Sequence, residues 1–266
     1  MTRLAFAGKC GAASRDDEAC AALAPAVISP PMSTQITIVT GAGSGIGRAL
    51  AILLAERGHA LTLVGRTESK LHETVAACGA CSGGLPIVIT GDLSNSATAH
   101  GVIDRTIAER GALDTLVNCA GVAPRAPIEA TDDELLEEVF FHNAFAPAFL
   151  IARAWPHFKE RKAGCVVNVS TLGTSDPFSG FFAYAASKSA LDSYTRSMHV
   201  EGAALGIRAF CINMGSIDTP MLRRNFPETV LPTAMTLTPA TAAQVIVDCI
   251  EGRRDADRGQ CIIVKK

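Results

Sequence analysis

Apolar residues along this chain fall into two alternating periods. The run Gln35-Ile36-Thr37-Ile38-Val39 is short and rich in β-branched residues, the composition of a buried strand. Directly after it, Ile46, Ala49, Leu50, Leu53 and Leu54 recur at helical spacing and stop at Gly58. The same exchange of periods repeats to the end of the chain. It predicts strands near 35–40, 60–65, 86–90, 115–118, 164–170, 207–213 and 260–264. Helices fill the intervals, among them 131–159, with breaks near Pro147 and Pro156, and 183–205. Strand–helix alternation of this kind specifies an α/β fold, a doubly wound parallel sheet of about seven strands with helices on both faces. Right-handed crossovers bring the carboxyl ends of such strands to one edge, where ligands bind.

The first segment does not share this pattern. Residues 1–31 are rich in Ala, are interrupted by Arg15-Asp16-Asp17-Glu18, and end in Ser29-Pro30-Pro31. No continuous apolar stretch there reaches the ~7–15 residues of a secretory signal, and the acidic triplet argues against organelle targeting. The expectation is a disordered or non-native extension, with Met32 a sensible start and 32–266 a single domain. The full chain has 266 residues, 48% of them hydrophobic, enough for a large core. Its formal net charge of -2 offers no nucleic-acid footprint and no attraction to anionic membranes. Nowhere do ~18 consecutive apolar residues occur, so no membrane span is expected. These features predict a cytoplasmic protein without nucleic-acid or membrane partners.

Candidate chemistry enters between the first strand and its helix, in Thr40-Gly41-Ala42-Gly43-Ser44-Gly45-Ile46-Gly47. Glycines let a backbone approach a pyrophosphate, and the free N–H groups and dipole at a helix start attract the anion. Ile46 occupies the third glycine position of the common G-x-G-x-x-G spacing. Gly41, Gly43, Ser44, Gly45, Ile46 and Gly47 are therefore candidates for a Rossmann-like dinucleotide cradle; the alternative is a tight turn without ligand. Far along the chain, Tyr184 and Lys188 stand one helical turn apart and share a face. A tyrosine ordinarily loses its proton near pH ~10, and a neighbouring cation lowers that value. The pair is a candidate acid–base device; the alternative is a solvated surface pair.

Together these motifs resemble the short-chain dehydrogenase/reductase family, in its single-domain branch with a T-G-x-x-x-G-x-G turn and Y-x-x-x-K. The resemblance runs from about Thr34 to about Val264. Further landmarks fall in family order. Asp92 and Leu93 follow the third strand, where the resemblance implies contact with an adenine ring. Leu116-Val117-Asn118-Cys119-Ala120-Gly121 looks like the family's N-N-A-G element, with Cys119 replacing the second Asn, and it makes Asn118, Ala120 and Gly121 cofactor-site candidates. Asn143 matches the helix Asn that anchors a relay water. Asn213 to Pro220 matches the element after the sixth strand, giving Gly215, Ile217 and Thr219 as nicotinamide-site candidates.

The resemblance implies hydride transfer between a nicotinamide cofactor and a ketone or secondary alcohol. Tyr184 would exchange the proton. Lys188 would lower its pKa and bind the nicotinamide ribose, and Asn143 would hold a water joining Lys188 to solvent. The family's catalytic hydroxyl maps to Thr171, with Ser170 as the alternative, because adjacent strand residues face opposite sides. The second strand ends in Gly65-Arg66 where an acidic residue would favour NAD, so Arg66 points to NADP; Ser44 adds no second charge, and NAD remains open.

No metal is called for. The nine cysteines are expected as reduced thiols, and Cys78-Gly79-Ala80-Cys81 has no partner motif to complete a zinc set. Substrate identity is not readable. Phe178, Phe181, Phe182 and Met214 are candidates for a pocket wall, and Arg223 and Arg224 either meet an anionic substrate or face water. Three functions remain: broad carbonyl/alcohol oxidoreductase, 3-oxoacyl thioester reductase, or non-catalytic NADP-binding sensor. A homodimer or homotetramer is expected on the family pattern.

Overall fold

The computed structural model describes residues 34–266. The segment 1–31 and the start at Met32 lie outside the described residues. Seven strands, β1 (Ile36–Thr40), β2 (Ala60–Gly65), β3 (Ile87–Thr90), β4 (Thr115–Asn118), β5 (Gly164–Thr171), β6 (Ile207–Met214) and β7 (Cys261–Val264), form one sheet. Their order is β3-β2-β1-β4-β5-β6-β7 and every pairing is parallel. The chain winds outward from β1 in one direction, then returns to β4 and winds in the other. That reversal creates a crevice beyond the ends of β1 and β4.

Successive strand residues serve opposite faces, as their period of two requires. Val39, Leu63, Val117, Val167 and Phe210 join one buried cluster with Leu50, Leu54 and Ile246. Their neighbours Ile38, Val64, Leu116, Val166 and Ala209 join the other, with Ile103, Leu150 and Phe158. The first cluster is covered by α1 (Gly45–Glu56), α2 (Glu68–Cys78) and α8 (Pro239–Ile250), and the second by α3 (Ser96–Arg110), α5 (Ala146–Arg161) and α6 (Phe182–Gly202). Strands covered on both faces read as continuous apolar runs.

The break expected near Pro147 takes the form of a π turn that ends just before it, within a helical path continuous from Asp133 to Arg161, whereas the one expected near Pro156 does not occur and α5 continues through it to Arg161. The π turn spans Phe141–Phe145, between α4 (Asp133–Phe140) and α5. Helix α1 is also rotated from its expected face. Gly47, Leu50, Ala51, Leu54 and Ala55 are buried, whereas Ile46, Ala49 and Leu53 flank the cluster.

A second expectation is modified. Asp133–Arg161 is, by length and composition alone, apolar enough to cross a bilayer, with mean hydropathy 1.3 over 18 residues. In the fold, Leu150, Ala154 and Phe158 of this run are packed in the core, while Phe141 and Phe145 are exposed.

Candidate active site

The glycine turn is built by sterics. Gly41 and Gly45 have φ of 68° and 53°, a region that penalises a Cβ. A Cβ on Gly47 would lie 2.4 Å from the Gly41 carbonyl oxygen. Ser44 precedes α1 without a side-chain cap, so the amides of the first turn have no acceptor from it. Thr40 then fastens this turn to the next strand. Its buried hydroxyl accepts from the amides of Cys119 and Ala120, both at 3.0 Å, and donates to Val117 O at 3.2 Å. Ala120 and Gly121 are thereby placed beside Gly41.

Asn143 occupies the π turn and is fully buried. Its Oδ1 accepts from Val122 N at 2.8 Å, and its Nδ2 donates to Val122 O at 2.8 Å and to Ser187 Oγ at 3.1 Å. These bonds make the side chain a clamp on the loop after β4. Gly121 lies directly against that clamp. A Cβ there would come 2.7 Å from Asn143 Oδ1 and 3.2 Å from Lys188 Nζ. Because Asn143 is held on both sides, it cannot step back. Gly121→Ala is therefore expected to cost about 1–3 kcal/mol of stability, the usual range for overpacking. Thermal unfolding and nucleotide titration check this; an unchanged Tm with unchanged affinity would refute the crowding.

Tyr184, Lys188 and Asp192 follow one another at every fourth residue on α6, so all three face the sheet edge. Lys188 is buried, and its Nζ donates to Val169 O at 2.8 Å. Burial pulls its pKa down to about 8, with Cys119, Cys211 and Asp192 opposing. Tyr184 is partly open to the crevice but lies deep within it. Desolvation pushes its phenol up to about 12, while the Thr171 hydroxyl draws it back. This corrects the sequence reading, in which Lys188 lowers the Tyr184 pKa. The spacing places the two groups on one face as expected, but burial is the largest influence on each, and both shift towards neutrality.

The two candidate hydroxyls part company at the end of β5. Ser170 Oγ donates to Asp192 Oδ1 at 2.8 Å and is committed there. Thr171 accepts from Gly173 N at 3.2 Å, and its hydroxyl faces Tyr184.

These elements enclose a cavity of about 490 Å³. Gly41, Ser44, Gly45, Ile46, Gly47, Ala120 and Gly121 line one end. Ser170, Thr171, Tyr184, Lys188, Met214, Gly215, Ile217 and Thr219 line its middle. The far wall is apolar: Phe178, Phe181, Leu222, Phe226, Val230 and Leu231. Phe181 stacks on Phe226 at 5.9 Å and meets Tyr184 edge-on at 5.8 Å. Phe182, by contrast, is exposed. Arg223 is not free for an anionic substrate, since it pairs with Asp218 at 2.6 Å and donates to Leu231 O.

Several candidates stand outside this cavity. Gly43 packs against Lys70. Asn118 turns into the sheet, donating to Asn168 Oδ1 at 2.9 Å, and Asn168 donates to Thr195 Oγ1 at 2.9 Å. Leu93 is a core residue of the second cluster. Arg66 is exposed at the end of β2, and Asp92 is exposed after β3. Burial opposes the Asp92 charge, but bonds from Ser94, with His142 and Arg66 nearby, hold its carboxyl below the ordinary value. Cys78 and Cys81 are free thiols away from the crevice, and burial raises Cys78 to about 11.

Sequence reading missed Thr40, Asp192, Ser187 and Asn168. Asp192 had a signal, since it continues the Tyr184–Lys188 spacing, and Thr40 directly precedes Gly41. Leu222 and Phe226 fall in the segment 221–235, which the family resemblance places at the substrate loop, but only the tertiary fold shows that these two, in and just after α7 (Pro220–Asn225), line the crevice.

A model of the short chain dehydrogenase family matches residues 35–229. A short chain dehydrogenase of Pseudocercospora fijiensis is 33% identical over 202 residues, covering 75% of this chain. The match spans 65% of that relative's length. A fatty acyl-CoA reductase of Acinetobacter baylyi is 31% identical over 221 residues, 82% of this chain and 74% of that protein. Among solved structures, levodione reductase has the same fold, with a TM-score of 0.81 at 24% identity over 87% of this chain and 96% of that one.

Proposed function

The chain belongs to the short-chain dehydrogenase/reductase family, and from that premise we propose that it is an NADP-dependent oxidoreductase that reduces an apolar ketone to a secondary alcohol. The observation that carries this reading is the convergence of Thr171, Tyr184 and Lys188 between a glycine-built turn and an apolar wall. The turn suits a dinucleotide: its glycines let the backbone fold tightly on itself and against Ala120, beside the cavity, and α1 offers its first amides uncapped by Ser44.

A bound nicotinamide cofactor supplies the hydride. The chain's own residues handle the oxygen. Thr171 donates to the carbonyl and steadies the negative charge that develops on it. Tyr184, whose phenol is protonated at neutral pH and is held so further by burial, gives its proton to that oxygen. Lys188, while protonated, opposes the charge left on the phenolate. Asn143 fixes the Val122 backbone and keeps Gly121 against Lys188. Phe181, Met214 and Phe226 exclude water from the substrate side.

Arg66 supports the choice of NADP. Arg48, in the first turn of α1, is engaged by Glu73 and Thr74, whereas among the described residues Arg66 has no ion pair. Guanidinium suits a 2′-phosphate. Purified protein with NADPH, NADH and a panel of ketones, aldehydes and acyl thioesters, followed by absorbance, tests the whole reading. Turnover confined to acyl thioesters would move the assignment to thioester reduction. Tight NADPH binding without any turnover would make the protein a sensor. Arg66→Asp is expected to weaken NADPH at least tenfold, a loss of about 1.4 kcal/mol, with little change for NADH; equal effects on both would remove the NADP assignment.

A further inference from the structure

Behind the crevice, a second polar cluster joins α6 to the far edge of the sheet. The Asp192 carboxylate accepts from Ser170 Oγ at 2.8 Å, from Asn213 Nδ2 at 3.2 Å, and from the Cys211 thiol at 3.2 Å. Cys211 lies on β6 and Cys261 on the edge strand β7, and the two are direct partners in the parallel register. Paired residues of adjacent strands project from the same face. The two sulfurs and an Asp192 oxygen all lie within 4.8 Å of one another. Adjacent strands stand about 4.8 Å apart, inside the Cα separation that disulfides adopt. Cys211 is fully buried, while Cys261 is only partly covered and has Arg196 Nη1 4.0 Å from its sulfur. Hydride transfer as derived above uses neither thiol.

We propose that Cys211 and Cys261 form a reversible dithiol/disulfide site oxidised by peroxides, with Cys261 as the attacking sulfur and Cys211 as the resolving one. The Cys261 thiolate attacks a peroxide oxygen. The O–O bond breaks, the sulfur becomes a sulfenic acid, and the distal oxygen leaves as water or an alcohol after protonation. Cys211 sulfur then displaces the hydroxyl from Cys261. An S–S bond forms, the S–O bond breaks, and the Cys211 proton, held towards Asp192, departs with the hydroxyl as water. In sum, two thiols are oxidised by two electrons, and one hydrogen peroxide is reduced to two waters.

The electrostatics divide the roles in the same way. The hydrogen bond with Cys211, supported by Arg196, holds the Cys261 thiol below its ordinary value. The bond to Cys261, burial and the Asp192 carboxylate hold Cys211 well above its own. Thiolate character selects the attacking cysteine. The same three groups present metal-ligand atoms, but Arg196 sits beside Cys261 and Asp192 is already bonded by Ser170 and Asn213, so a divalent cation meets an opposing charge and an occupied carboxylate.

The test uses the full reduced chain, a small excess of hydrogen peroxide, alkylation of remaining thiols, and mass spectrometry of a non-reducing digest. The expected result is loss of two hydrogens, a linked peptide joining Cys211 to Cys261, and recovery of both thiols with a phosphine reductant. Cys211→Ser should accumulate a dimedone-reactive sulfenic acid at Cys261. Arg196→Ala, an exposed substitution, should slow disulfide formation several-fold while leaving the circular dichroism spectrum unchanged. Both thiols remaining fully alkylatable after peroxide would overturn the proposal. So would sulfinic acid at Cys261 without a linked peptide, or stoichiometric uptake of zinc alone that shields both thiols. None of these readouts involves NADPH turnover, so the outcome is separable from that of the proposed reaction.

Discussion

Tyr184→Phe is expected to lower kcat by roughly 10³-fold while leaving nucleotide affinity within about twofold. The substitution removes one oxygen from the crevice and keeps the ring that meets Phe181 edge-on. The glycine turn and the Gly121–Asn143 clamp are untouched, so cofactor binding has no reason to change. What is lost is the only phenol lining the cavity among the described residues, and with it the proton that the proposed reduction delivers to the alkoxide. Thr171 is not expected to replace it, because an aliphatic hydroxyl is a far weaker acid than a phenol. Steady-state kinetics with nucleotide titration by fluorescence decides the matter. Turnover retained within tenfold would mean that solvent delivers the proton and that the pair at 184 and 188 is structural.

Lys188→Met is expected to stabilise the chain without nucleotide by about 2 kcal/mol at pH 7, a rise in Tm of about 4–8 °C, while reducing turnover at least a hundredfold. A buried ammonium whose pKa has fallen to about 8 carries a penalty whenever it is charged. Loss of its bond to Val169 O offsets part of the gain. The sign is set by linkage. Between about pH 8 and the ordinary lysine value, the unfolded chain binds the proton that the native chain has released, so stability rises with pH across that window. Below it the full penalty persists. The stability difference between variant and parent should therefore be largest below pH 8 and shrink above it. For the same reason, carbonyl reduction by the parent should decline as pH rises through about 8, when Lys188 loses the charge that opposes the phenolate. Tyr184 has the opposite effect at high pH: its raised value favours the native state below its ordinary pKa, and this contribution is lost as pH climbs towards about 12. Thermal melts from pH 6 to 10 test the first claim. A Met variant no more stable than the parent at pH 7 would show that the crevice solvates the ammonium after all.

The sequence alone determined the class of this protein, because the features that specify it are local. Strand and helix periods are read within a few residues, and each of the seven strands was placed to within one residue at either end. A glycine turn announces itself by composition, and i, i+4 spacing is enough to put Tyr184 and Lys188 on one face. Proline was legible only in part: composition marks a disturbance near Pro147, but that it is a π turn holding Asn143, and that α5 passes Pro156 without stopping, depends on what packs around the helix.

Only the tertiary structure decided the electrostatics and the walls. The pKa shifts of Tyr184 and Lys188 are governed by desolvation, which sums over every element closing the crevice and has no sequence period. Strand alternation showed that Ser170 and Thr171 diverge, but which one faces Tyr184 depends on Asp192, a residue of another element that claims Ser170. The same holds for Cys211 and Cys261, which become neighbours through a strand pairing that no short-range pattern encodes. Backbone periodicity is a property of the chain's own geometry; burial and cross-element contact are properties of what folds against it.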